Sequence, residues 1–589
     1  MVACTVSNFL NMTLHPSKLL ALAGLLAATP ALAQVQPTRP PATRGKIEEA
    51  EIEIVKERVN QLPQAARNFE KINISPPAKT GGKVSYTYPD FRLPADLLNP
   101  SVRVLTIRQE ELTPQTGNYL KAGIGNYGTF LGRAHLHNTR SSTASYGLDL
   151  NHLSSARGPI DKQNSGQSQT SLGLHGETYS GTTALGAKVA LGRERYNFYG
   201  YNRDVAQLPV ADSLKQTFSR ADVKVYARNR ADDAQLQYDV NLGFRHWNDN
   251  FNAKENNIYG ELRTGYVLGE TSRVSVNGDF SFISYQDSLK YSRPFFQVTP
   301  AYEATLNRLA VSVGATLGYT GDTIRQASQF KIYPAVRVGY TVTEDKFLVF
   351  AGLGGGIQRV TMYDLSTENP WLAPNQRVSD TRRGPTVYFG FNATPARALQ
   401  VNARVTLSND QALYFYENAG RVVASPIGNT FRGDSTKFNL VYDKKSTQLL
   451  NLHGEIIYNA AEKTRIGLKA DYNGYNVKTL AQPFHRPAFQ SVLFATHNVY
   501  EKLLIGAEFY TYSSSYGTGF HRFSPAIGYR KVSRPTDSVF DLNLRADYRI
   551  MEKLSIFAMG NNLIGGQYER FLNYPVKGAN VLVGATYDF

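Results

Sequence analysis

Val581-Leu582-Val583-Gly584-Ala585-Thr586-Tyr587-Asp588-Phe589 closes the chain. Counting back from Phe589 in steps of two puts Tyr587, Ala585, Val583 and Val581 on one face and leaves Asp588, Thr586 and Gly584 on the other. That is the period of a strand with one apolar face. At the end of a soluble sheet such a strand offers an unpaired edge, whereas a barrel pairs its last strand with its first and leaves no edge open in lipid. The stretch is read as the closing strand of an outer-membrane β-barrel, against the alternative of a buried last strand in a soluble sandwich.

Two internal runs carry the same lettering more strongly. Between Ala234 and Arg245, the residues Leu236, Tyr238, Val240, Leu242 and Phe244 alternate with Gln235, Gln237, Asp239, Asn241 and Arg245. Between Phe540 and Ile550, Leu542, Leu544, Ala546 and Tyr548 alternate with Asp541, Asn543, Arg545, Asp547 and Arg549. An apolar file opposite a wholly polar one is what a barrel wall requires, with lipid outside and water inside. The apolar sets are therefore expected to face lipid and the polar sets to line the lumen. A one-residue slip would turn Arg545 and Arg549 toward hydrocarbon, at about 2–4 kcal/mol each near the midplane, so register is fixed.

Leu185, Ala187, Val189 and Leu191 alternate in the same way, and Asn118–Asn126 with Phe130–Asn138 reads as a first hairpin around Tyr127-Gly128-Thr129. Segments of this kind predict an all-β, large antiparallel transmembrane barrel of about 22 strands, an even number as is the rule for single-chain bacterial barrels. With Phe589 on the periplasmic side, Asn561–Gly578 and Ser513–Asp537 become external loops, and Met551–Lys553 and Asn498–Lys502 internal turns. Further long loops fall near Asn202–Ser213, Thr361–Arg383 and Ala419–Gly433.

Residues 1–33 read as a secretory signal peptide: Lys18, an apolar run Leu19–Ala28, then Ala31-Leu32-Ala33 before Gln34, with Met12 an alternative start. No later stretch is long and apolar enough for a membrane helix. Cys4 is the one cysteine and lies within the signal, so no disulfide or thiolate metal site is expected. The formal charge of +16 becomes 16 − 1 = +15 once Lys18 is removed. An exported basic chain points away from nucleic acid and toward anionic lipid headgroups, an anionic solute, or simply a solvated charged lumen. Residues 34–117 carry Pro37, Pro40, Pro41, Pro63, Pro76, Pro77, Pro89, Pro94, Pro100 and Pro114. Prolines at that density forbid long regular elements, so this part is expected to be an extended periplasmic arm preceding the barrel at 118–589.

Ser555-Ile556-Phe557-Ala558-Met559-Gly560-Asn561-Asn562-Leu563, followed by Tyr568-Glu569, Tyr574-Pro575, Gly578 and the final strand, resembles the closing hairpin of TonB-dependent receptor barrels. Asn118-Tyr119-Leu120-Lys121-Ala122-Gly123-Ile124-Gly125-Asn126-Tyr127-Gly128 is similar to the barrel start of a plugless subset of such proteins. The resemblance implies a transport or receptor barrel in the bacterial outer membrane. The family's plug signature has no counterpart in residues 34–117, where Glu53-Ile54-Val55 is a candidate degenerate TonB box. A barrel not directly energised by TonB is therefore expected.

No nucleophile elbow or Gly-rich phosphate loop is present, and no catalytic residue, cofactor or metal is assigned. His135 and His137 share a strand face and form a candidate metal pair set against ordinary barrel residues, while His485 and His521, on external loops, are expected to be solvated. Expected partners are outer-membrane lipid, the outer-membrane insertion machinery through the terminal strand with Tyr587 and Phe589, and another envelope protein through residues 34–117. The alternative function is a non-transporting scaffold subunit of an outer-membrane complex.

Overall fold

A computed structural model describes residues 117–589 apart from 139–140, 204–207, 232, 289, 323–327, 424–429, 433–435, 462 and 525–526. The signal peptide and the proline-rich arm expected at 1–33 and 34–117 lie outside the described residues, Gly117 excepted. The rest is almost entirely strand. Twenty-two strands form one antiparallel sheet that closes on itself, from Tyr119–Gly125 to Asn580–Asp588.

The first strand pairs on one side with Thr129–His137, across the tight Asn126–Gly128 turn, and on the other with the last strand in the register Tyr119↔Asp588 to Gly125↔Leu582. The hairpin and strand count expected from the alternation are both present. At the seam Gly123 sits directly opposite Gly584. A Cβ on Gly584 would stand 2.0 Å from the Ala122 carbonyl oxygen and 2.6 Å from Gly123 Cα. Two glycines let the backbones approach where the cylinder joins.

Connections differ sharply between the two ends. At the end where the first strand begins and the last strand finishes, strands are joined by turns such as Gly181-Thr182, Glu270-Thr271 and Glu552-Lys553. At the opposite end they are joined by long loops, spanning 359–380, 412–446, 477–488, 513–538 and 562–579. Short turns at one end and long loops at the other match the asymmetry of outer-membrane barrels, whose turns are periplasmic. Several loops carry hairpins of their own, Tyr414–Asn418 with Phe438–Tyr442 and Tyr516–Ser524 with Gly528–Pro535 among them.

Along the wall one file is exposed and aliphatic or aromatic, including Leu174, Val225, Ile258, Phe282, Val313, Ile332, Phe389 and Val583. Such a surface is unsustainable in water over a whole cylinder. The largest buried apolar cluster lies among the outer strand ends and long loops. Phe218, Trp247 and Tyr285 from the strands pack there with Val360, Met362, Leu365, Leu372, Val378, Tyr416, Phe438, Phe571 and Tyr574. The core of this molecule therefore sits in the mouth of the barrel.

Candidate functional site: the loop-closed mouth

The loop 359–380 leaves the strand Phe347–Gln358 and turns into the mouth, where it forms the one α-helix among the described residues, α1 (Met362–Glu368). Thr361 caps it: its hydroxyl accepts from the Asp364 amide at 3.1 Å and donates to the Asp364 carboxylate at 2.6 Å. Thr-x-x-Asp is a capping arrangement that starts a helix even where only seven residues follow. Glu255, almost fully buried on the strand Lys254–Gly269, accepts from the Met362 amide at 3.0 Å. A wall carboxylate thus meets the otherwise orphaned amides of the helix start.

A set of buried ion pairs ties the loop to the wall. Arg293 donates to Asp380 at 2.8 Å and to the Val360 carbonyl at 2.6 Å, with both charged side chains almost fully enclosed. Asp380 also accepts from Thr320 Oγ1 at 2.7 Å and from the Val360 amide at 2.9 Å. Arg382 lies 3.9 Å from Asp322, and Asp322 accepts from Ser379 Oγ and the Asp380 amide. Arg220 pairs with Glu194 at 3.3 Å, donates to Ser366 at 2.9 Å and reaches the Tyr363 carbonyl. Charges this deeply enclosed are stable only while paired, and of these pairs Arg293–Asp380 joins the loop directly to the wall.

Aromatic packing holds the loops to one another. Trp371 stacks on Tyr574 with centroids 3.9 Å apart, Tyr199 meets Tyr574 edge-on at 4.8 Å, and the Trp371 indole donates to the Asn197 carbonyl at 3.0 Å. His485, expected to be solvated, is instead buried between Phe438 and Phe571. Burial pushes its imidazole down to about 4. The expectation fails because loop position says nothing of which other loops cover a residue. His521 is exposed, as expected.

Beneath this layer, at the seam of the cylinder, lies a cavity of about 390 Å³. Thr129, Arg133 and Ser155 of the wall, Tyr196, Tyr199 and Trp371, and Asn562, Tyr568 and Lys577 of the last loop line it. Lys577 donates to Ser155 Oγ at 2.6 Å, and burial pushes its ammonium down to about 8.

The polar file expected to line the lumen is engaged in contacts across the wall and to the loops. Arg245 donates to Asp222 at 2.8 Å and lies 3.8 Å from Asp364 of α1. Asn241 donates to Asp239 at 2.9 Å, and Gln235, just ahead of its strand, accepts from the Val267 amide through its carbonyl. Gln237 is half-buried. Asp541, fully buried, accepts from Tyr510 at 2.6 Å, and Asn543 accepts from the Asn562 amide at 3.1 Å. Arg545 pairs with Asp547, which lies 3.5 Å from Lys121, while Arg549 is exposed near the short-turn end. In the apolar file Leu236, Val240, Leu242, Phe244, Leu544 and Tyr548 are exposed; Leu542 and Ala546 are half-buried, and Tyr238 bonds to Thr183 at 2.7 Å. Tyr587 and Phe589 are exposed and stacked. His135 is engaged by Asp149, and no group of three or more His, Cys, Asp or Glu among the described residues is arranged to hold a metal ion.

Sequence reasoning missed Glu255, Arg293, Asp380, Trp371 and Lys577. The one local signal was Thr361-x-x-Asp364 inside a predicted loop, a capping pattern that marks a helix where none was assigned.

A closed cylinder with an apolar exterior needs a bilayer around it, and this one, with 22 antiparallel strands, is a barrel of the bacterial outer membrane. Solved structures share the architecture. The FrpB iron transporter from Neisseria meningitidis (F3-3 variant) superposes with a TM-score of 0.61 at 10% identity, over 81% of this chain and 82% of that one. The siderophore receptor PirA from Acinetobacter baumannii gives 0.59 at 9%, over 82% and 81%. The pyoverdine receptor FpvA from Pseudomonas aeruginosa PAO1 gives 0.57 at 12%, over 82% and 79%. At such identities the likeness is one of fold. No protein-family model matches the sequence, and no curated protein matches it.

Proposed function

We propose that this chain is a transport or receptor barrel of the TonB-dependent receptor type whose outer mouth is closed by its own loops. The observation that carries the reading is the seating of loop 359–380: it enters the mouth and is held there by side-chain ion pairs to the wall, Arg293–Asp380 foremost. A closure made of side-chain contacts can open without disturbing the ladder of the cylinder, which is what a gated passage requires. In the proposal Gln235, Gln237, Asp239, Asn241, Arg245, Asp541, Asn543, Arg545, Asp547 and Arg549 line the passage, the alternating apolar file faces lipid, and Tyr587 and Phe589 present the terminal strand to the insertion machinery. Structural neighbours described as an iron transporter and a siderophore receptor support the transport or receptor reading. No plug signature occurs in residues 34–117, so the proposal includes no direct energisation by TonB, and it leaves that arm available to an envelope partner.

A second reading, a non-transporting scaffold subunit, draws on the aromatic core that fills the mouth. Planar-bilayer recording of the purified full chain separates them. Rare openings that become frequent when Asp380→Ala unseats the loop support the gated passage. Silence in both proteins, and again after deletion of residues 34–116, supports the scaffold.

A further inference from the structure

The cavity at the seam differs from the rest of the mouth in its charge. The enclosed cations Arg220, Arg245, Arg293, Arg382 and Lys121 each have a carboxylate within 4 Å, namely Glu194, Asp222, Asp380, Asp322 and Asp547. Among the described residues the charged side chains around the cavity are Lys577 and Arg133, with no Asp or Glu in its lining. Among the described residues the Lys577 ammonium makes one hydrogen bond, to Ser155, which is itself buried and tied to Thr129 at 3.1 Å. That fixes the ammonium and leaves two of its N–H groups unspent.

The backbone behind it is equally fixed. Asn562 Nδ2 donates to the Lys577 carbonyl at 2.5 Å and to the Gly566 carbonyl at 2.7 Å, whereas the buried Asn562 Oδ1 has no hydrogen-bond partner among the described residues. Four aromatic residues, Tyr196, Tyr199, Trp371 and Tyr568, share the lining with aliphatic side chains such as Leu131, Leu153 and Met559. A volume of about 390 Å³ is within the range of small-molecule sites.

We propose that this cavity is a binding subsite for a small organic anion, a carboxylate carried on a flat ring, with Lys577 as its charge partner and the aromatic side chains as its walls. The inference rests on the receptor reading above and gives it a substrate class. An ammonium buried without a counter-ion loses part of its charge, and a bound carboxylate restores it, so the anion is favoured over a neutral molecule of the same shape. The titratable groups facing the cavity are Arg133, Lys577 and the phenols of Tyr196, Tyr199 and Tyr568. Burial pushes the Lys577 ammonium down to about 8, so it changes charge near neutrality.

The test is calorimetric titration of the full-length protein in detergent with benzoate, and with benzamide as the neutral isostere. Expected are saturable benzoate binding, no binding of benzamide, loss of at least about tenfold in affinity in Lys577→Met, and retention in Lys577→Arg. Affinity should also fall from about pH 7 to about pH 9 as Lys577 discharges. Migration of both variants as folded barrels on unheated gels excludes a folding defect. Absence of benzoate binding, equal binding of benzamide, or benzoate binding untouched by Lys577→Met overturns the proposal. Lys577-dependent binding by a protein that stays silent in the bilayer would retain the subsite and remove the transport reading; conductance without such binding would do the reverse.

Discussion

Asp380→Ala is the sharpest perturbation of the closed mouth. In the native structure the Asp380 carboxylate takes Arg293 at 2.8 Å, Thr320 at 2.7 Å and the Val360 amide at 2.9 Å. Arg293 is only 2% exposed, so the alanine leaves a buried guanidinium without its counter-charge. Breaking one side of such a pair costs about 3–5 kcal/mol. The strand bearing Arg293 keeps its full ladder to Ser272–Gln286, so the cost falls on seating the loop. At about 1.4 kcal/mol per factor of ten, the open population rises by about a hundredfold to a few thousandfold. Planar-bilayer recording reads this as frequent openings where the native protein shows rare ones. The double variant Arg293→Met/Asp380→Leu removes both charges and should close again, because an apolar pair of similar volume is about as stable as a buried ion pair. Native-like gating in Asp380→Ala, or a double variant as open as the single one, refutes the reasoning.

Gly584→Ala places a methyl against backbone at the seam and should destabilise closure by about 1–3 kcal/mol, read as a lower temperature of gel-mobility conversion, whereas Gly454→Ala, with open space around it, should be neutral. Leu544→Arg should cost about 2–4 kcal/mol in folding titrations into lipid vesicles, and Arg545→Leu much less; the reverse order removes the lipid and lumen assignment of that strand. His485 is held neutral in the fold with its imidazole pushed down from its ordinary value near 6.5 to about 4. The stabilisation is therefore complete above about pH 6.5 and is lost as pH falls toward about 4, worth about 3 kcal/mol in all. Tryptophan quenching by iodide should rise over that interval in the native protein and stay flat in His485→Phe. Phe589→Ala should lower the yield of barrel assembled in cells while leaving refolding in detergent unchanged.

The cylinder was legible in the sequence because lipid and water impose opposite demands on alternate residues of one strand, a pattern local enough to read ten residues at a time. The run from Ala234 to Arg245, the Tyr127-Gly128 turn and the terminal strand each carry their own assignment, and the strand number follows by repetition. Only the tertiary structure decided what happens in the mouth. Lys577 meets Ser155 across 422 residues of sequence, and Glu255 meets the start of α1 across 107. No periodicity links such partners: a loop residue is solvated or buried according to which other loops fold over it, as His485 shows. The binary pattern of the wall is written residue by residue, whereas the pairing of enclosed charges, and the setting of Lys577 without a carboxylate among the described residues, emerges when the ends of many strands are brought together in one ring.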